Sequence, residues 1–337
     1  MKEMVTTSAS RIEPSTRTVE RLENLLNCKV QDWNTLLQID LSYCDITLLP
    51  PEADRWSSAT HIYLNNNRLS SLPDAVSGWT SATHINLGSN QLTLLPDAVS
   101  AWSSVTYIYL RCNQLTFLPD GVSGWTSATH ICLGGNKLTS LPDAVSGWSS
   151  ATYISLRGNQ LTFLPDAVSG WTSARCITLS YNQLTFLPDA VSGWTSARDI
   201  YLNNNQLTFL PDAVSGWTLA EFINLARNQL TLLPDTVYAT HIYLKDNPIL
   251  FVDDNLCGKC MVNYNVTDTF FSLNNKKKIQ NRYACKIQKT YRRHYKKRNN
   301  AAIIIQQAYI DHFYRVDGPW YNKTLRVYLT FNLNILP

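Results

Sequence analysis

Four histidines, His61, His84, His130 and His241, stand at one recurring place in this sequence. Imidazoles can move protons or hold a metal. A metal pair is conceivable between His61 and His84, but no carboxylate or thiolate recurs beside them to complete a ligand set. Eight cysteines are present; Cys44, Cys112, Cys132 and Cys176 fall in the periodic region without a pairing rhythm. Unpaired thiols point to a reducing compartment, and a cytoplasmic location is expected. The pair Cys257-x-x-Cys260 has no second pair to close a zinc site and reads as structural or incidental thiols. No Gly-rich phosphate loop, metal-binding His-Glu signature or nucleophile elbow occurs. The expectation is a non-enzymatic chain with no cofactor and no metal.

Charge points to a second kind of chemistry. Between Thr269 and Ile310 lie eleven Lys or Arg and no Asp or Glu. The rest of the chain then holds 18 basic against 25 acidic residues, a net charge of −7. A mildly acidic body is joined to a strongly basic segment, and the two halves predict different partners. Ile279, Tyr283, Ile287, Tyr291 and Tyr295 are four apart, which predicts an amphipathic helix with a cationic face. Nucleic acid and anionic lipid are alternative partners for such a face. No run approaches the ~18 apolar residues of a membrane-spanning helix.

The elements that would position these groups come from a repeat. Prolines recur every 23 residues from Pro50 to Pro234, and asparagines from Asn67 to Asn228. Cys44 holds the asparagine place one period earlier, and Asn247 holds it in a last copy shortened by four residues. Thr83 to Leu87 alternates polar and apolar, as a short strand with one buried face should. Asn90 ends that strand at a bend, where its amide can both donate to and accept from open backbone groups. Pro73 suits the first turn of a short helical segment, Asp74 its positive end, and Gly78 its termination. Nine of the ten tryptophans keep the period, each followed three residues on by a smaller residue, as Trp79 is by Ala82. Large-small pairing fills a core at constant volume. A scaffold role is therefore expected for the tryptophans, and a ligand-stacking role is not. No copy can bury its apolar face alone, so the copies must stack.

Within a copy, Ile85, Leu87, Asn90, Leu92 and Leu95 have the spacing I-x-L-x-x-N-x-L-x-x-L. This resembles the leucine-rich-repeat family, specifically its 23-residue "LTxLPD" class. The resemblance implies an α/β solenoid, with a curved parallel sheet on the concave face and short helical turns on the convex face. Ile287, Gln288, Arg292 and Lys297 fit I-Q-x-x-x-R-x-x-x-x-K, which is similar to an IQ motif. That motif implies binding by calmodulin or a related EF-hand protein. Bacterial effectors with similar solenoids attach a ubiquitin-ligase domain, but the basic tail here is too short to match one. The near-identical copies look like repeat proteins of large DNA viruses or protists; in a viral setting the location is the host cytoplasm.

The outward strand positions vary from copy to copy while the convex phrase "LPDAVSGWTSA" hardly changes. On the concave sheet the expected protein-binding residues are Tyr63, His84, Tyr107, Tyr109, Arg111, Tyr153, Arg157, Tyr201, Asn203, Tyr243 and Lys245. Tyrosine and arginine are common interface residues. The expected organisation is an N-terminal helical cap at 1–32, ten repeats at 33–250 and a cap or linker at 251–274. The basic helix follows at 275–316, with an unassigned tail at 317–337. In the N-terminal cap, Val19, Leu22, Leu25 and Leu26 sit at helical spacing and should cover the first repeat.

Overall fold

Each repeat folds into one three-residue strand and one tight turn, and the copies stack strand on strand. The computed structural model describes residues 14–234, 236–237, 239–249 and 261–263. All of them lie in Met1–Asn265, the first of two units into which the chain divides. The strands are β1 (Gln38–Asp40), β2 (His61–Tyr63), β3 (His84–Asn86), β4 (Tyr107–Tyr109), β5 (His130–Cys132) and β6 (Tyr153–Ser155). They continue as β7 (Cys176–Thr178), β8 (Asp199–Tyr201), β9 (Phe222–Asn224), β10 (His241–Tyr243) and β11 (Met261–Asn263). One parallel sheet carries all of them in sequence order. Register follows the repeat, so Ile62 pairs Ile85 and Ile85 pairs Ile108, all of them buried. The residues on either side of each isoleucine, such as His84 and Asn86, point to the opposite face and stay half-exposed.

The strand β11 is a finding that the sequence pattern did not announce. Within the segment 251–274, Met261–Asn263 pairs with β10 in parallel register. Main-chain bonding needs no side-chain repeat, so the sheet can outlast the pattern.

The turns are 3-10 turns, Asp74–Gly78 and its equivalents as far as Asp212–Gly216. Val76 N donates to Pro73 O and Trp79 N to Val76 O, an i to i+3 pattern that reverses the chain in few residues. Two expectations need correction here. Pro73 stands just before the turn with extended backbone (φ −74°, ψ 161°), where its carbonyl accepts the first turn bond. Gly78 has no positive φ, so backbone freedom is not its role. A Cβ there would lie 2.3 Å from the Asp54 carbonyl of the preceding turn. Glycine lets adjacent turns approach each other; Ala101 in one copy shows that a small shift can relieve that contact.

Behind the turns runs the tryptophan column. Trp33 to Trp217 are all buried. From Trp56 onward successive rings lie 5.7–6.2 Å apart and within 21° of parallel. From Trp79 onward each Nε1 donates to a backbone carbonyl of the preceding copy, at 2.9–3.2 Å; Trp79 reaches Ala53 and Trp148 reaches Val122. Trp56 Nε1 is buried without such a partner. The carbonyl at the matching distance would be that of Val30, which opens the cap's own turn rather than a full repeat.

The asparagine ladder forms as expected. Asn90 Nδ2 donates to Leu64 O of the preceding copy and to Leu87 O of its own, at 2.9 and 3.0 Å. Its Oδ1 accepts from Leu69 N at 3.0 Å. The same set recurs from Asn67 to Asn247. One side chain thus closes three backbone groups that the bend would leave open.

At the N-terminal edge, helix α1 (Pro14–Leu26) covers the first copy. Leu22 is buried, and Val19 and Leu26 pack beside it. Leu25, expected on the same face, is 43% exposed. At about 100° per residue, Val19, Leu22 and Leu26 fall within an arc of about 60°, and Leu25 lies about 60° beyond it. Arg21 donates to Cys44 O, and Glu23 accepts from Val30 N and Lys29 Nζ, which ties the helix to the repeat.

Candidate functional site

The varying columns of the repeat share one sheet face. Just before each inward isoleucine stands a column of rings: His61, His84, Tyr107, His130 and Tyr153. Their successive centroids lie 4.3, 4.4, 4.6 and 5.9 Å apart, face to face. The preceding threonines orient the imidazoles. Thr83 Oγ1 donates its single proton to Thr60 O at 3.0 Å and lies 2.9 Å from His84 Nδ1. A hydroxyl whose proton is committed can only accept there, so Nδ1 of His84 carries the hydrogen and Nε2 keeps a lone pair. Thr60 and Thr129 do the same for His61 and His130. Burial holds His84 and His130 below the ordinary imidazole value, with the neighbouring His61 adding to the effect on His84.

A metal does not suit this column. The His61 and His84 rings are 12° from parallel, so their lone pairs run side by side instead of converging. Among the described residues no group of three or more His, Cys, Asp and Glu could hold an ion.

Part of this column and the columns beyond it line a trough of about 1220 Å³ over β3 to β8. Six of the expected residues meet there: Tyr109, Arg111, Tyr153, Arg157, Tyr201 and Asn203. The other five lie outside the trough lining: Tyr63, His84, Tyr107 and Tyr243 on the same sheet, and Lys245 in the turn after β10. Burial raises the phenols of Tyr109, Tyr153 and Tyr201, so they are neutral donors at ordinary pH. Arg111 and Arg157 are exposed at the rim, and Arg157 lies over the Tyr181 ring at 4.8 Å. Asn203 Oδ1 accepts from Ser180 Oγ at 2.6 Å.

Residue reasoning missed part of the floor. Cys132 and Cys176 lie between the tyrosines, and burial pushes the Cys132 thiol up to about 11. It is therefore a neutral thiol, not a nucleophile. Gly134, Gly135 and Gly158 also form the floor. Their signal was in the copy-to-copy comparison: the place of Gly135 and Gly158 is glycine in those two adjacent copies alone, and the place of Gly134 is glycine elsewhere at Gly88. The calmodulin-type residues Ile287, Gln288, Arg292 and Lys297, and Cys257 and Cys260, lie outside the described residues.

Residues 57–115 and 103–161 match the leucine rich repeat family model. No curated protein matches the chain. Among solved structures, the functional domain of InlJ from Listeria monocytogenes is similar at 21% identity and a TM-score of 0.59. The match covers 72% of this chain and 53% of that one. YopM, a leucine-rich effector protein from Yersinia pestis, is 22% identical with a TM-score of 0.54, over 73% of this chain and 63% of that one. The PEPR1–AtPEP1 complex is 21% identical with a TM-score of 0.59, over 68% and 34%. The chain thus spans less than two thirds of each of these three proteins. Sheet, turns, asparagine ladder and sequence match agree: the described body of this protein is a leucine-rich-repeat solenoid.

Proposed function

We propose that the chain is a non-enzymatic scaffold whose concave face captures a protein partner. Leucine-rich-repeat domains are in general protein-interaction scaffolds, as in receptors and effectors. The observation that carries the reading here is where the copies differ. Variation gathers on the face that holds the trough, while the convex phrase stays nearly constant. A trough with four tyrosines and two arginines suits a protein surface. Affinity capture with the full chain and with Tyr109→Ala, Arg111→Ala, Arg157→Ala combined tests it. The combined variant should lose the captured protein at unchanged melting temperature; equal capture would sink the reading.

The basic segment at 275–316 is a second binding element in this reading, with a calmodulin-like protein as its partner. Ile287, Gln288, Arg292 and Lys297 at motif spacing support it. Calcium-dependent retention on calmodulin that disappears in Ile287→Ala, Gln288→Ala is the expected result. Binding to oligonucleotide or anionic vesicles that is lost in high salt would favour the electrostatic alternative. The five described cysteines are all free, which fits a reducing, cytoplasmic setting. No helix among the described residues is long and apolar enough to cross a membrane.

A further inference from the structure

The floor of the trough departs from the other copies in a way the fold does not require. The residue before each ladder asparagine has a left-handed backbone. Gly135 and Gly158 do so at φ +69°. Ordinary residues do so elsewhere at φ 55–59°: Tyr43, Asn66, Ser89 and Cys112 before them, Tyr181 and Asn204 after. The conformation alone therefore does not demand glycine. Nor does space: a Cβ on Gly135 would meet its nearest neighbours at 3.4–3.5 Å, and on Gly158 at 3.6–3.8 Å, ordinary contact distances. Beside them Gly134 also lacks a side chain, and a Cβ there would lie 3.1 Å from Arg157 O. Three residues of the floor thus present bare backbone.

Two cations flank this bare patch. Arg111 and Arg157 occupy the same column as Gly134, one copy on either side, about 9–10 Å apart along the sheet. They lean away from each other. Arg111 Cγ lies 3.3 Å from where a Gly88 Cβ would be, and Arg157 rests over Tyr181. Arg68, Arg198 and Arg227 have carboxylate partners. Among the described residues Arg111 and Arg157 have none, and no carboxylate lines the trough. Guanidinium groups bind carboxylates in a bidentate fork. Missing side chains let another backbone approach closely.

We propose that this patch seats an extended acidic peptide segment. Its backbone lies on Gly134, Gly135 and Gly158, and its carboxylate side chains are held by Arg111 and Arg157. Carboxylates two to four residues apart on an extended chain span roughly 7–13 Å, which matches the two cations. The proposal rests on the concave face being a protein-binding surface and names the chemistry of what it binds.

The test uses the full chain and a labelled decapeptide of alternating Glu and Ser, with the Gln-Ser decapeptide as control, read by fluorescence anisotropy. The basic tail is common to every variant, so differences between variants report the trough. Arg111→Gln with Arg157→Gln should weaken the Glu peptide by about tenfold or more. Gly135→Asn with Gly158→Asn installs the residue that other copies carry as Asn66 and Asn204. That variant should melt like the parent and still lose about tenfold in affinity. Unchanged affinity in both variants, equal affinity for the Gln peptide, or tighter trough-dependent binding of an oligothymidylate would each overturn the proposal. If Tyr109→Ala abolishes capture of a partner that the arginine and glycine variants still capture, the concave reading stands and this inference falls. If no concave substitution affects capture, both fall.

Discussion

Two columns of stacked rings run along this solenoid, one residue per copy in each. The tryptophans behind the turns lie 5.7–6.2 Å apart from Trp56 onward, and the His/Tyr column on the concave sheet lies 4.3–5.9 Å apart from His61 to Tyr153. By ring geometry alone, either could be a platform. Surroundings separate them. Each indole from Trp79 onward is buried on every side and gives its one donor to the preceding copy, so a replacement costs packing and a hydrogen bond together. The concave rings are half-exposed, and the column changes to Cys176 and Asp199 without interrupting the sheet. A buried column tolerates almost no change; an open one can be rewritten copy by copy.

The sharpest way to break this contrast is Trp148→Ala. It should cost about 3–5 kcal/mol, the usual penalty for emptying a buried aromatic site. Urea unfolding monitored by circular dichroism would measure it, and a loss below about 1 kcal/mol would remove the tryptophans from the frame. Asn136→Ala comes next. It leaves Leu110 O, Leu133 O and Leu115 N without their side-chain partner, at on the order of 1–3 kcal/mol for a buried group left unpaired. Backbone amide exchange should speed up most at Leu115 and its neighbours. On the concave side, Tyr153→Ala should cost only roughly 1 kcal/mol, the centre of the distribution for single substitutions.

The smallest effect concerns pH. His84 and His130 titrate below the ordinary imidazole value of 6.5 because of burial. The unfolded chain therefore binds protons more readily than the folded one. Stability is fully present above about pH 6.5 and falls as pH drops through the folded values. Unfolding midpoints at pH 7.5 and pH 5 should show this decline, and His84→Gln with His130→Gln should flatten it. A decline of the same size in that variant would place its origin elsewhere.

Much of the frame was legible because the period exposes it. Ile85, Leu87 and Asn90 imposed strand, face and bend, and the phase of Trp79 against Ala82 put the indole inside. What a single copy cannot show is how copies meet. Gly78 reads as a turn terminator, yet its reason is the Asp54 carbonyl one copy away. Leu25 fits a helical spacing but misses the narrow arc that the first repeat covers. The strand at Met261–Asn263 extends the sheet through main-chain bonds that leave no mark in side-chain pattern. On the concave face the columns were legible, whereas the trough was not. Its extent depends on where side chains are missing, and Gly135 and Gly158 attract no notice beside Tyr109 or Arg157.

The division between frame and reading face is tested most directly within one copy, with Trp148→Ala and Arg157→Ala measured side by side for unfolding free energy and for affinity to a protein captured by the parent chain. Trp148→Ala should lose about 3–5 kcal/mol of stability, with affinity retained under conditions where it stays folded. Arg157→Ala should keep its stability within about 0.5 kcal/mol and lose affinity. The opposite pattern, a stable Trp148→Ala that no longer binds beside an Arg157→Ala that binds like the parent, would contradict the account.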